Sequence, residues 1–270
     1  MAFTPRSTEP TAPCHGEEMT NAASPNFGLL FPTANADVRD FADLLGRVTP
    51  SSTLQVVELP WPAGTQSALG SMSDRELADT VAGLGRPAAL ADALSGSAER
   101  FEAVALAVTS ASFMLSPNDH RRQLTTIEST ARCAATSTMR GFQEAVAHLG
   151  ATAVSVASVY PPLFTDRFIE HIARSGTTVS HRVDANARTD RDLTEWGDAR
   201  IIDLVGRAAH PEAEAVLLPE TALHTDHLTS ALAEAAGVPV LTATQVTVWS
   251  LFRAVGRAPR ADHAGPLFLG

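Results

Sequence analysis

Glu102-Ala103-Val104-Ala105-Leu106-Ala107 runs straight into Val108-Thr109-Ser110-Ala111-Ser112-Phe113, and Ala213-Glu214-Ala215-Val216-Leu217-Leu218 into Pro219-Glu220-Thr221-Ala222-Leu223-His224-Thr225. A short apolar run bounded by a polar turn reads as a buried parallel strand. In open α/β sheets, ligands sit just beyond the carboxyl ends of such strands. Small hydroxyls and backbone N–H groups at that place suit an anionic ligand, since each donates to an oxyanion. One such loop in each half of the chain predicts a cleft between two similar lobes.

Working outward, strands are expected over 27–31, 53–58, 103–107, 153–158, 178–183, 215–218 and 238–241. Helices are expected over 36–46, 74–94 with a break at Gly85-Arg86-Pro87, 136–149, 163–175, 195–208, 226–236 and 244–256. Gly46, Gly150, Gly176, Gly237 and Gly256 fit left-handed helix ends. Strands separated by helices of this length form parallel sheets through right-handed crossovers. The fold class is therefore α/β, and each half reads as strand, helix, strand, helix, then a strand ending in a Thr-containing loop.

With 270 residues, one large domain or two small lobes have ample material for a core. The net charge of −10 and the scatter of the basic residues argue against a nucleic-acid partner. Two cysteines, Cys14 and Cys133, make neither a disulfide framework nor a zinc site, so a reducing cytoplasm is the expected location. No apolar run approaches a membrane span and no signal-peptide core opens the chain, so no membrane association is expected. Residues 1–25, rich in Thr, Pro, Ser, Glu and Ala, read as a disordered extension in which Met19 is a second candidate start.

An ordered set of short stretches carries a resemblance: Gly28-Leu29-Leu30-Phe31-Pro32 with Asn35, Val108 to Phe113, Tyr160-Pro161, Glu220 to Thr225, and Pro239-Val240-Leu241 with Gln245 and Trp249. In this order the chain resembles the aspartate/glutamate racemase superfamily, in its branch of maleate isomerases and arylmalonate decarboxylases. The resemblance implies two pseudo-symmetric lobes, each a parallel sheet flanked by helices, with the active site in the cleft between them. It implies residues 26–133 plus 239–270 as the first lobe and 134–238 as the second, no cofactor and no metal, a small carboxylate as substrate, and compatibility with a homo-oligomer. That family places a cysteine at one or both loop entrances. Here those positions hold Val108 and Glu220, so no thiol acts at either.

Racemisation, decarboxylation and isomerisation of small acids all build negative charge on a carboxylate as the neighbouring carbon becomes carbanion-like. Preorganised donors aimed at that enediolate are the main catalytic resource. Thr109, Ser110 and Tyr160 are the candidate donors from the two lobes, with Thr221 from the opposing loop, Asn35 on a second carboxylate and Val108 as an apolar wall. The plain alternative for the Thr and Ser residues is helix capping. Glu220 is the candidate proton donor, since burial can raise a carboxyl pKa towards neutrality; its plain alternative is a charge partner for a helix N-terminus.

Other residues have stronger structural readings. A lone internal Cys133 is a small core residue, His224 and His227 mark a helix start rather than a metal site, and His120-Arg121-Arg122 is a charged surface segment. Gln245 and Trp249, one turn apart, fit helix packing. Three functional readings stay open: a decarboxylase with Glu220 as proton donor, an isomerase or racemase of the same fold, and a non-catalytic binder of a small anion.

Overall fold

The computed structural model describes residues 24–32, 38–189, 192–193 and 195–269. The expected disordered extension and its Met19 lie, apart from Ser24 and Pro25, outside the described residues, as does Asn35.

Two parallel sheets of four strands each form the frame. The first is built from β1 (Asn26–Phe31), β2 (Thr53–Glu58), β3 (Ala103–Leu106) and β4 (Ala134–Ser137), in the order β2-β1-β3-β4. The second is built from β5 (Ala153–Ser158), β6 (Thr178–Asp184), β7 (Ala215–Leu218) and β8 (Val240–Thr242), in the order β6-β5-β7-β8. The two orders are equivalent, so the expected pseudo-symmetry is present. Burial explains the apolar runs. The inner strands β3 and β7 are buried at every residue, whereas the edge strands β2 and β6 are largely exposed or half-buried.

The helices are α1 (Arg39–Val48), α2 (Asp74–Leu84), α3 (Pro87–Ser95), α4 (Thr109–Phe113), α5 (Pro117–Ala131), α6 (Thr138–Leu149), α7 (Pro162–Ala173), α8 (Asp198–Ala208), α9 (Thr229–Ala236) and α10 (Ala243–Ala254). The break between α2 and α3 falls at Gly85 and Arg86, where Pro87 restarts the helix at its first position. Gly150 and Gly237 end α6 and α9 with φ of 67° and 69°, a conformation glycine adopts without a Cβ clash. Gly46 is a correction: it lies inside α1, which continues to Val48.

Two elements were not legible. Helix α5 buries His120 and Gln123 beside Leu124 and Ile127, so its inner face is half polar and lacks an apolar stripe. Strand β4 is four small residues, Ala-Ala-Thr-Ser, without β-branched bulk at its start. These omissions displaced the expected lobe boundaries. Strand β4 pairs with β3, so the first lobe continues past residue 133. Strand β8 pairs with β7 and stays in the second sheet, and only the helix after it, α10, returns to pack on β4, β3 and α6.

Helix α10 is buried at all ten residues from Ala243 to Phe252. It meets the first lobe through paired hydroxyls, Thr136 with Ser250 at 2.5 Å and Thr138 with Thr247 at 2.8 Å. Gly141 on α6 permits this contact, because a Cβ there would lie 2.6 Å from the Val246 carbonyl oxygen and 2.9 Å from its carbon. The neighbouring atoms are backbone and cannot swing aside. Replacing Gly141 by Ala is expected to cost about 1–3 kcal/mol through overpacking, which outweighs the helix-propensity gain of about 1 kcal/mol. Urea unfolding measures the difference, and a stabilised variant would show that the two helices separate freely.

His120 and His171 stack edge-to-face at 5.8 Å where α5 meets α7. The His120 Nε2 is hydrogen-bonded to Ser137 Oγ at 2.8 Å, and His171 Nε2 to the Leu115 carbonyl at 3.1 Å. His120 is thus a buried junction residue rather than part of a surface segment, while Arg121 and Arg122 are exposed. Burial, followed by the charges of His171, Arg140 and Arg121, pushes the His120 pKa down to about 4. The unfolded chain binds a proton here below about pH 6.5, while the folded chain waits until about pH 4, so this group makes stability rise with pH across that window. Asp226, raised from 3.8 to about 6 chiefly by burial, has the opposite slope between those values. His120→Asn keeps a hydrogen-bonding side chain and removes the titration. The variant is expected to lose roughly 3 kcal/mol of the rise between pH 4 and 6.5, read from urea midpoints at several pH values. An unchanged slope would exclude His120 as its source.

Candidate active site

In a sheet of order 2-1-3-4, the direction of chain winding reverses between the first and third strands, and a crevice opens beyond their carboxyl ends. Both lobes have this point, between β1 and β3 and between β5 and β7, and the two crevices face each other across one cavity of about 60 Å³. A single water needs roughly 10–15 Å³ on this measure, so the cavity suits a small ligand. Its lining reads as the four strand ends in turn: Phe31 and Pro32 after β1, Val108 to Ser110 after β3, Tyr160 and Pro161 after β5, and Glu220 to Ala222 after β7.

Of the predicted site residues, Val108, Thr109, Ser110, Tyr160, Glu220 and Thr221 are all brought together here. Asn35 cannot be assigned a place, lying outside the described residues. The hydroxyls of the two loops are not equivalent. Thr221 Oγ1 donates to the Ala107 carbonyl at 2.8 Å and accepts from Thr109 Oγ1 at 3.2 Å. Both protons are therefore spent on joining the lobes. Ser110 is half-buried, and its hydroxyl has no hydrogen-bond partner among the described residues, so it is the member of the loop available to a ligand.

Glu220 is 6% exposed, and one of its carboxyl oxygens accepts from the Ala222 N–H at 2.7 Å, closing a tight turn. The position of this loop is set from the first lobe. Asp40 on α1, 4% exposed, accepts from the N–H groups of Thr225 and Asp226 at 3.0 and 2.8 Å, from Thr225 Oγ1 at 3.3 Å and from Thr244 Oγ1 at 2.7 Å. Arg47, also on α1, pairs with Asp226. Tyr160 packs edge-on against Phe113 and is stacked on Phe164.

Apart from Val108, most of the apolar lining was missed in the sequence. Trp61 and Leu69 come from the loop after β2, Leu77 and Val81 from α2, Phe164 from α7 and Leu193 from the segment after β6. Trp61, an aromatic between two prolines in a loop, was the available signal. Arg188 and Thr189 were missed too, although they follow the carboxyl end of β6, where the strand-end rule points.

The remaining candidates lie elsewhere. Cys133 precedes β4 at the opposite end of the sheet, and burial, then Glu128, raises its thiol pKa. His227 meets Asp198 at 3.1 Å on an exposed surface. No group of three or more His, Cys, Asp or Glu that could hold a metal occurs among the described residues. No helix among them is long and apolar enough to cross a membrane. Gln245 and Trp249 are buried packing residues of α10, as their spacing predicted.

The fold recurs in solved structures. A doubly substituted arylmalonate decarboxylase in its liganded form is 19% identical, with a TM-score of 0.70 over 91% of this chain and 99% of that one. The maleate isomerase of Pseudomonas putida S16 with maleate is 15% identical, with a TM-score of 0.73 over 92% and 98%. The maleate cis-trans isomerase of Nocardia farcinica, with a covalently bound succinylcysteine intermediate, is 17% identical, with a TM-score of 0.71 over 90% and 98%. No curated protein matches the chain. The sequence profile of the arylmalonate decarboxylase family matches residues 63–268, more than half of the protein, and the chain belongs to that family.

Proposed function

We propose that the protein is a cofactor-independent decarboxylase of a small malonate-type acid, with Glu220 as the proton donor. The observation that supports this reading is the composition of the cavity. A hydroxyl loop, a phenol and a carboxyl meet there against a largely apolar wall, with no cysteine among the described lining residues.

One carboxylate of the substrate is seated at the Ser110 loop. The bond from the reacting carbon to the other carboxylate breaks, carbon dioxide departs, and the bonding electron pair stays on that carbon. It delocalises into the retained carboxylate as an enediolate, whose growing charge the Ser110 hydroxyl and the Tyr160 phenol stabilise. Glu220 then delivers its proton to the carbon and is left as a carboxylate, which water reprotonates. An apolar wall around Val108 favours loss of a charged carboxylate as a neutral gas. The reaction needs Glu220 in its protonated form.

The isomerase reading is weaker for a chemical reason. The Nocardia farcinica isomerase carries its intermediate on a cysteine, whereas Cys133 here lies at the far end of the first sheet. A carboxylate is a poorer carbon nucleophile than a thiolate, so the covalent route loses its attacking group.

Glu220→Gln keeps size and hydrogen bonding but removes the transferable proton. It is expected to retain binding of malonates by calorimetry and to lose product formation, followed by NMR in deuterated water. Unchanged turnover in the Gln variant would exclude Glu220 as the donor, and wild-type binding with no turnover on any substituted malonate would favour the anion binder. In a separate comparison, Ser110→Ala should lower kcat by roughly ten- to a thousandfold with a smaller effect on KM, because its donor acts on charge that develops in the transition state. Wild-type kinetics in that variant would reduce the loop to a helix cap.

A further inference from the structure

Two ionisable side chains of Asp, Glu, Lys or Arg type face the cavity among its described lining residues, Glu220 and Arg188. Arg188 follows β6 on a segment tied to the end of β5, where the Ala185 N–H donates to the Ser158 carbonyl at 2.9 Å and the Ala187 N–H to the Val159 carbonyl at 2.7 Å. The backbone is held, and the long side chain reaches the other lobe. Its Nη1 donates to Asp74 Oδ1 at 2.6 Å and its Nη2 to the Met72 carbonyl. The side chains of Arg188 and Asp74 are 30% and 41% exposed, whereas Glu220 is 6% and Thr109 2% exposed. The guanidinium therefore sits at the mouth, and the hydroxyl loop with Glu220 at the floor.

An ion pair as exposed as Arg188 with Asp74 is worth a factor of about five or less. A carboxylate reaching the mouth from inside the cavity competes for the same guanidinium, because a two-bond charge-assisted fork is stronger than the single Nη1 bond to Asp74. We infer that Arg188 selects the substrate, exchanging Asp74 for a distal carboxylate that the substrate keeps. This inference rests on the reading that a small carboxylate occupies the cavity, and it narrows the substrate to an acid with a second anionic group at the end remote from the Ser110 loop. The group held by Arg188 is not the one lost as carbon dioxide. A guanidinium on a departing carboxylate would stabilise the ground state more than the transition state and slow the reaction. For decarboxylation the substrate is thus a malonate-type acid whose side arm ends in a carboxylate.

Unreactive probes separate this from turnover. Succinate and butyrate have the same carbon count and differ by one carboxylate. Their Kd values are measured by calorimetry on the wild-type protein, Arg188→Gln and Asp74→Asn, with a thermal melt of each variant to confirm folding. The Ser73–Glu76 capping box holds the start of α2 independently of Asp74. The wild type is expected to bind succinate more tightly than butyrate. Arg188→Gln should weaken succinate binding about tenfold or more beyond its effect on butyrate. Asp74→Asn removes the competitor and should tighten succinate binding by up to about fivefold. Opposite signs in the two variants support the exchange. If both variants weaken binding alike, the pair is a strap between the lobes and the inference falls; a wild type that binds succinate no better than butyrate overturns it as well. None of these outcomes bears on proton delivery by Glu220, which is read from turnover.

Discussion

The Thr221 hydroxyl joins the two lobes at the floor of the cleft. It donates to the carbonyl that ends the β3 segment and accepts from Thr109, all within the buried interior. Separating the lobes there would strand a carbonyl and two hydroxyls, at about 1–3 kcal/mol for each group left without a partner. Asp40 would lose donors from Thr225, Asp226 and Thr244 as well. The floor is therefore the rigid part of the cleft. At the mouth, the half-exposed Arg188–Asp74 pair is replaceable by water at little cost. Entry of a ligand is cheapest where these weaker contacts lie, and the geometry of the reacting groups is preserved while it happens.

The same division explains how a protein of net charge −10 accommodates an acid. Long-range attraction does not favour such a ligand, so the site depends on short-range donors. These come from the ends of inner strands, where parallel pairing brings hydroxyl loops from both sheets to one point. Repeating one strand order twice places two crevices face to face, and each lobe contributes half of the lining. Helix α10, buried between α6 and the first sheet, fixes the second lobe against the first through close backbone contact at Gly141.

The strands that carry the site were legible because their neighbours on both faces are apolar, which leaves continuous runs such as Val104 to Ala107 and Val216 to Leu218. The loops beyond them were legible for the same reason, since a Thr-Ser or Glu-Thr pair stands out after such a run. Helix α5 and strand β4 were hidden because their buried faces use His120, Gln123, Thr136 and Ser137, whose side chains hydrogen-bond, Gln123 through its Nε2, where an apolar stripe would pack. Missing them moved the lobe boundary. The pairing of Thr109 with Thr221 was out of reach for another reason. Sequence identifies which hydroxyls reach the cleft, but the division of their protons depends on distances between loops more than a hundred residues apart. Arg188 was concealed in a polar segment, and only its reach across the cleft to Asp74 sets it apart from ordinary surface arginines.

Glu220 and Arg188 have different roles because they stand in different solvent. An exposed guanidinium keeps its charge and can change partners, so it suits recognition. Glu220, at 6% exposure, is held by its own turn, where one carboxyl oxygen accepts from the Ala222 N–H. The oxygen involved acts as an acceptor there whether or not the carboxyl carries a proton. In the proposed reaction a thiol in the same position could deliver a proton as the carboxyl does. What the carboxyl cannot reproduce is the thiolate's affinity for carbon. Under the mechanism proposed above, Glu220 at the strand end keeps the step in which a proton is delivered to the substrate and forgoes the step in which the enzyme is bonded to it.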